Sequence, residues 1–346
     1  MAEERGPGAE PLRTAGVSRL VVFAPNWLGD AVMALPAVAD VQRAASGIQM
    51  TVAARPSIAP LFELVPGLAG VLSLDAGGPW WRDRSGPLRA GRFDAAVLLP
   101  NSFHSAFIAW RAGIRERWGY ATDFRRWLLT RSVSTPMRVH QGAFYQHLTR
   151  SLGFASGSPA PSLDVSEQRR RSGTELLRSS GWDGTSPIVA FAPGAAYGGA
   201  KKWAAASFAA VASMLAREGI VPTLIGSAAD APAGQEMMEA LPDSNAINLI
   251  GRTDLPSLAG VLVSSRGLVT NDSGAMHLAS ALGVPVTAIF GPTDDQATHP
   301  RGRAPHTVLT HDVWCRPCML RECPLTHACM RGVTADSVAA AVRRHL

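Results

Sequence analysis

Short and nearly unbroken apolar runs recur along the chain, each followed by a stretch in which apolar residues return every three or four positions. "SRLVVFAP" (18–25) reads as a buried strand, "DAVMALPAVADVQRAA" (30–45) as a helix and "IQMTVAAR" (48–55) as the next strand. A helix near 57–64, the strands "VLSLD" (71–75) and "FDAAVLLPN" (93–101), and the helix "SAFIAWRAGI" (105–114) continue the alternation. Strands that are apolar on both faces and separated by helices predict a parallel sheet covered on both sides.

The Ser/Gly/Pro-rich stretch "ASGSPAPSLD" (155–164) interrupts this rhythm and reads as a linker. The pattern then restarts with strand "PIVAFAPGA" (187–195), helix "SFAAVASMLAREG" (207–219), strand "IVPTLIGS" (220–227) and a helix near 230–241. Helix 254–265, strand "GLVTND", helix "SGAMHLASALG" and strand "VPVTAIFGP" follow, and "TADSVAAAVRRHL" closes the chain as a helix capped by Thr334. The reading is thus an α/β protein of two doubly wound parallel-sheet halves facing a central cleft. It divides into a disordered tail over 1–16, one domain over 17–160, a second over 161–333, and a terminal helix over 334–346. A length of 346 residues suits two domains of roughly 150. Ligands of such sheets sit outside the carboxyl ends of the strands.

Charge narrows the classes of partner. The net charge of +6 is spread along the chain, with local clusters only at Arg125–Arg126 and Arg169–Arg171, and no nucleic-acid module is recognisable. No nucleic-acid partner is expected; a phosphorylated substrate or an anionic membrane surface fits the excess. "RERWGYATDFRRWLL" (115–129) interleaves Trp118, Tyr120, Phe124 and Trp127 with Arg115, Arg117, Arg125 and Arg126. It reads as an acceptor or headgroup contact, against the plainer reading of core packing beneath a solvated face. No apolar run approaches the ~18 residues that span a bilayer. The first sixteen residues lack the apolar core of a signal peptide, so the expected compartment is the cytoplasm.

Three strand-end motifs carry the candidate chemistry. In "FAPNWLGDAVMALP" (23–36), Asn26 and Gly29 permit a tight loop and Asp30 stands where a helix begins. Asp30 is either a helix cap or a carboxylate able to take a proton from a substrate hydroxyl. "FAPGAAYGGAKKW" (191–203) combines Gly194, Gly198 and Gly199 with Lys201 and Lys202, as a phosphate cradle or a flexible loop would. It matches neither the dinucleotide nor the P-loop fingerprint. "TNDSGAMHLASALGVPVTAIFGP" (270–292) places Asp272, Ser273 and Gly274 at a helix N-terminus, where free N–H groups favour a diphosphate. His277, four residues after Ser273, faces the same side, either bordering that anion site or as a core histidine making one hydrogen bond.

All four cysteines, Cys315, Cys318, Cys323 and Cys329, fall within "CRPCMLRECPLTHAC". A structural tetrahedral zinc site, with His327 as a spare ligand, competes with two local disulfides, which a reducing cytoplasm disfavours.

At these residues the chain resembles the ADP-heptose:lipopolysaccharide heptosyltransferases of glycosyltransferase family 9. The likeness runs from "NWLGDAVMALP" through "LLPNSFHSAF" and "PGAAYGGAKKW" to "NDSGAMHLASALGVP" and "FGPT", and "LPNSFHSA" points to the branch that adds the second heptose. The resemblance implies the GT-B fold, with two Rossmann-like domains, the first binding the acceptor and the second the donor. It implies inverting transfer of L-glycero-D-manno-heptose from ADP-heptose to a lipid A-linked inner-core saccharide. Asp30 matches the general base. Lys201 matches the lysine on the donor phosphates, and Asp272, Ser273, Gly274 and His277 match the diphosphate-binding turn. Asp230 falls where an acidic side chain meets the donor ribose or adenosine, and Asn26, Asn101, Ser102 and Arg117 are the acceptor candidates. With these donors no metal is obligatory for catalysis, although magnesium can assist. Peripheral contact with the anionic inner face of the inner membrane is expected. Departures at Ala196, Gly199 and Lys202 bear on donor preference. Two other readings compete: a nucleotide-sugar epimerase of the same architecture, which needs no acceptor, and a nucleotide-sugar-binding protein without catalysis.

Overall fold

The central apolar runs close into strands because their neighbours bury them on both faces. The computed structural model describes residues 16–45, 47–75, 85–241 and 245–346, so the expected tail lies outside them except for Gly16. The chain divides into two compact units, Met1–Pro161 and Ser162–Leu346.

In the first unit six parallel strands are ordered β3-β2-β1-β4-β5-β6. They are β1 (Arg19–Phe23), β2 (Gln49–Ala54), β3 (Gly70–Ser73), β4 (Ala95–Leu98), β5 (Glu116–Tyr120) and β6 (Arg131–Val133). In the second unit β7 (Ile188–Ala192), β8 (Val221–Leu224), β9 (Ile247–Asn248), β10 (Gly267–Asn271), β11 (Val286–Phe290) and β12 (His306–Thr310) are ordered β12-β11-β10-β7-β8-β9. Counted within its own unit, each sheet runs 3-2-1-4-5-6. The order therefore reverses once per unit, between β1 and β4 and between β7 and β10, and a crevice opens there at the carboxyl ends. Val21 pairs with Ala96 across the first switch and Val269 with Phe191 across the second.

Three departures from the sequence pattern have simple causes. The helix expected over 30–45 is two helices, Leu28–Met33 and Leu35–Ala44, because Pro36 has no N–H to continue the first and sits in the opening turn of the second. The aromatic-basic stretch 115–129 is partly a strand, β5, whose period-two alternation turns Trp118 and Tyr120 into the core. Arg125 is buried as well, so the interleaved surface shrinks to Phe124, Trp127 and the outward arginines. Helices Gln141–Ser151 and Glu167–Ser179 went unmarked because their apolar stripes are thin. The terminal helix Ala335–Arg343 is capped by Thr334 and packs Val338, Ala339 and Val342 into the second unit's core. Among the described residues no helix is long and apolar enough to cross a membrane.

The linker-like stretch begins pinned to the first unit by a buried carboxylate. Asp40 is fully buried, pairs with Arg43, and accepts from Gln146 Nε2 at 3.0 Å and from the Gly157 N–H at 2.8 Å. Asp40→Ala strands these donors and should lower stability to urea by about 3 kcal/mol. An unchanged unfolding midpoint would show that the contact is dispensable.

Candidate active site

The first unit's candidates gather at its switch point. Asp30 follows β1 in the first turn of helix Leu28–Met33; residue 27 supplies the cap position, and no side chain makes a capping bond there. The Asp30 carboxylate, half-buried, accepts a hydrogen bond from Tyr145 Oη at 3.2 Å. Burial, and then the Asp30 charge, push the Tyr145 phenol well above its usual pKa, so it stays a donor. The arrangement holds the carboxylate in place beyond the end of β1. Asn26 is exposed in the same loop.

Asn101 and Ser102 are exposed just after β4, on the other side of the switch. Ser102 caps helix Phe103–Arg111, and its Oγ accepts from the Ser105 N–H at 3.4 Å. Their loop is fixed from beneath by Arg125, which donates to the carbonyls of Pro100, Ser102 (3.1 Å) and Tyr120 (2.9 Å) and to Ser105 Oγ at 2.9 Å. Burial lowers the Arg125 pKa to about 10, which still leaves it charged at neutral pH. The alternation of aromatic and basic residues puts Arg125 on a surface; with β5 itself hidden in that alternation, nothing in the sequence marks its burial. Arg117, an acceptor candidate, is committed elsewhere: its guanidinium donates to the carbonyls of Leu128 (2.6 Å), Ile114 and Arg115 (3.0 Å). The side chain braces β5 and offers little to a ligand.

In the second unit an ion pair spans the switch between β7 and β10. Lys201 Nζ lies 2.6 Å from Asp272 Oδ2, and the two side chains are only 14% and 7% exposed. At such burial, losing one partner strands the other's charge, a penalty of about 3–5 kcal/mol. Thr293, in the loop after β11, donates to the same Asp272 oxygen at 2.8 Å. The ammonium also lies 4.8 Å from the centre of the Tyr197 ring. Asn271, at the end of β10, accepts from the Trp203 N–H at 3.0 Å and donates to the carbonyls of Pro193 (2.9 Å) and Gly194 (3.2 Å). It thereby closes the base of the loop that carries Lys201. Thr293 and Asn271 were not singled out from sequence, although both stand in the quoted motifs.

Ser273 and Gly274 open helix Gly274–Ala281 and are partly exposed. Ser273 Oγ lies 2.9 Å from Thr270 Oγ1. The resemblance groups Asp272 with the diphosphate contacts. A buried carboxylate repels phosphate, and its two hydrogen bonds show it holding Lys201 instead. Asp230 Oδ2 accepts from the Ser227 N–H (2.9 Å) and Oγ (2.8 Å), capping its own turn beside Gly194. Gly198 and Gly199, read as room for a ligand, lie against the segment 321–322.

The four cysteines are free thiols, and among the described residues no group of three or more His, Cys, Asp or Glu side chains is gathered to hold a metal ion. Burial pushes the Cys329 thiol up, and the other three thiols add to that shift. The cysteines are thus neighbours that carry no disulfide in this structure.

Comparison with known proteins agrees with this geometry. Residues 84–329 match the family described as Glycosyltransferase family 9 (heptosyltransferase). Lipopolysaccharide heptosyltransferase 2 of Salmonella typhimurium is 32% identical over 82% of this chain and 85% of that protein, and its Escherichia coli namesake is 31% identical over the same shares. The solved structure of E. coli ADP-heptose lipopolysaccharide heptosyltransferase II superposes with a TM-score of 0.81 at 27% identity, covering 94% of this chain and 98% of that one. The chain belongs to glycosyltransferase family 9, and its two doubly wound units have the GT-B architecture of that structure's class.

His277 is buried one turn into the same helix. Burial lowers its pKa to about 4; Asp272 opposes the shift, while Lys201 and His299 add to it. The unfolded chain takes up this proton near 6.5, so folding excludes it across the interval below. The resulting stability is complete above pH 6.5 and is lost as pH falls towards 4, in total roughly 3 kcal/mol. Between pH 7 and pH 4.5, His277→Gln should therefore lose clearly less stability to urea than the parent protein. Equal losses would contradict a neutral buried imidazole.

Proposed function

We propose that this glycosyltransferase is an inverting heptosyltransferase that moves L-glycero-D-manno-heptose from ADP-heptose to the inner core of lipopolysaccharide, adding the second heptose. The observation that carries this reading is the Lys201 ammonium fixed by Asp272 at the carboxyl ends of β7 and β10, beside the N–H groups of Ser273 and Gly274. A group-transfer donor with a diphosphate leaving group needs such a place, because negative charge grows on the departing phosphate as the glycosidic bond breaks. The second unit would hold the donor, and the first would supply the base.

In this mechanism an acceptor hydroxyl attacks the anomeric carbon on the face opposite ADP, through an oxocarbenium-like transition state. The new C–O bond forms as the bond to the diphosphate oxygen breaks, and the hydroxyl proton passes to Asp30. Tyr145 orients the carboxylate by donating to one of its oxygens. Lys201 and the helix N-terminus take the charge of the leaving group. The loop fixed by Arg125 presents Asn101 and Ser102 to the acceptor. Peripheral contact with an anionic membrane is supported by Phe124 and Trp127, which are 93% and 68% exposed on either side of two arginines, one of them outward-facing.

Asp30→Asn should lower kcat for heptose transfer by about 10²–10⁴-fold, the usual span for a lost general base, with ADP-heptose binding retained. Mass measurement of a truncated lipopolysaccharide acceptor reads the transfer as one added heptose. Full activity of the variant, or an epimerised sugar in place of a heavier acceptor, would refute the assignment.

A further inference from the structure

The cysteine-bearing segment has no place in the transfer chemistry, yet it touches the loop that carries Lys201 at several points. Tyr197 Oη donates to the Met319 carbonyl at 2.8 Å. The Gly199 N–H donates to Glu322 Oε1 at 2.9 Å, and the Ala200 N–H donates to the Arg321 carbonyl at 2.9 Å. The His327 imidazole, with Nε2 as donor, reaches the Ala200 carbonyl at 2.6 Å. The Arg321 guanidinium lies 5.2 Å from the Tyr197 ring centre, and Lys201 Nζ lies 4.8 Å from the same ring.

The fit between the two segments is close. A Cβ on Gly198 would come within 2.4 Å of the Arg321 carbonyl oxygen, and one on Gly199 within 2.5 Å of the Glu322 carboxylate. The glycines thus admit protein backbone and carboxylate three and two residues before Lys201. The segment is itself anchored at both ends. Arg316 donates to the Gly291 carbonyl at 2.9 Å and pairs with Asp295, and the Met319 N–H donates to the Pro292 carbonyl at 2.9 Å. At the far end Cys329 and Met330 are buried in the core. Residues 316–327 therefore form a strap between the loop after β11 and the loop after β7.

We infer that this strap sets the position of Lys201, with Glu322, His327 and Tyr197 as positioning residues for the donor's diphosphate. The inference rests on the donor role proposed for Lys201. A strap fastened at both ends removes freedom from a glycine-rich loop before the ligand arrives, so less ordering is left to oppose binding. Every contact given above lies within the second unit, so the strap is expected to act on the donor.

The test compares the full-length protein with Glu322→Ala, Glu322→Gln and Tyr197→Phe, using calorimetric ADP binding and transfer kinetics. Losing the Glu322 contact should weaken ADP binding and raise the donor KM about fivefold, as for one hydrogen bond, with kcat and acceptor KM within about twofold. Glu322→Gln keeps an oxygen acceptor for the Gly199 N–H and should recover most of the loss. Tyr197→Phe should weaken ADP binding in the same direction. ADP affinity unchanged in Glu322→Ala, or Glu322→Gln no better than Glu322→Ala, would overturn the strap. A parent protein that fails to bind ADP would instead overturn the donor reading on which the strap depends.

Discussion

The second unit is organised around one buried ion pair. Lys201 comes from the loop after β7, Asp272 from the end of β10, and Thr293 from the loop after β11, so three strand ends are tied at one carboxylate oxygen. A pair this buried has little net stabilising value of its own, because both charges lose water. Its consequence is geometric: the lysine cannot leave without stranding Asp272, so a long flexible side chain is held in one place. One of its three N–H donors is committed to Asp272, and the Tyr197 ring flanks the ammonium. The same burial that fixes the pair also keeps His277 neutral, so the site's positive charge resides on Lys201 and on helix N–H groups.

A second principle recurs in both units. Loops that carry candidate residues are fixed by polar groups placed beneath or behind them. Arg125 gathers carbonyls under Asn101 and Ser102, Asn271 closes the loop of Lys201 at its base, and residues 316–327 brace it from the other side. Strand ends at a switch point supply position, while loop backbones need extra hydrogen bonds to keep it. The buried polar side chains are the material of those bonds.

Much of this was legible in the chain. Apolar runs with intervening helices located most of the strands, and Asp30, Lys201 and Asp272 each announced themselves by standing at a strand end. Elements with weak contrast escaped: β5 because its charged and aromatic residues alternate like a surface, and β12 because its apolar residues are few. The roles of Asp272, Arg117 and Arg125 could not be read, since a carboxylate that holds a lysine and one that meets a ligand look alike in one dimension. The glycines misled for the same reason. Gly198 and Gly199 do admit a close approach, but what approaches is the chain's own Arg321 and Glu322.

The account turns on Asp272 acting through Lys201. Calorimetric titration of ADP into the parent protein, Lys201→Met and Asp272→Asn separates this from simple electrostatics. If Asp272 holds the ammonium for the diphosphate, both variants bind ADP more weakly than the parent. If Asp272 merely adds negative charge near an anion, Asp272→Asn binds ADP as tightly or more tightly, and that result would contradict the account.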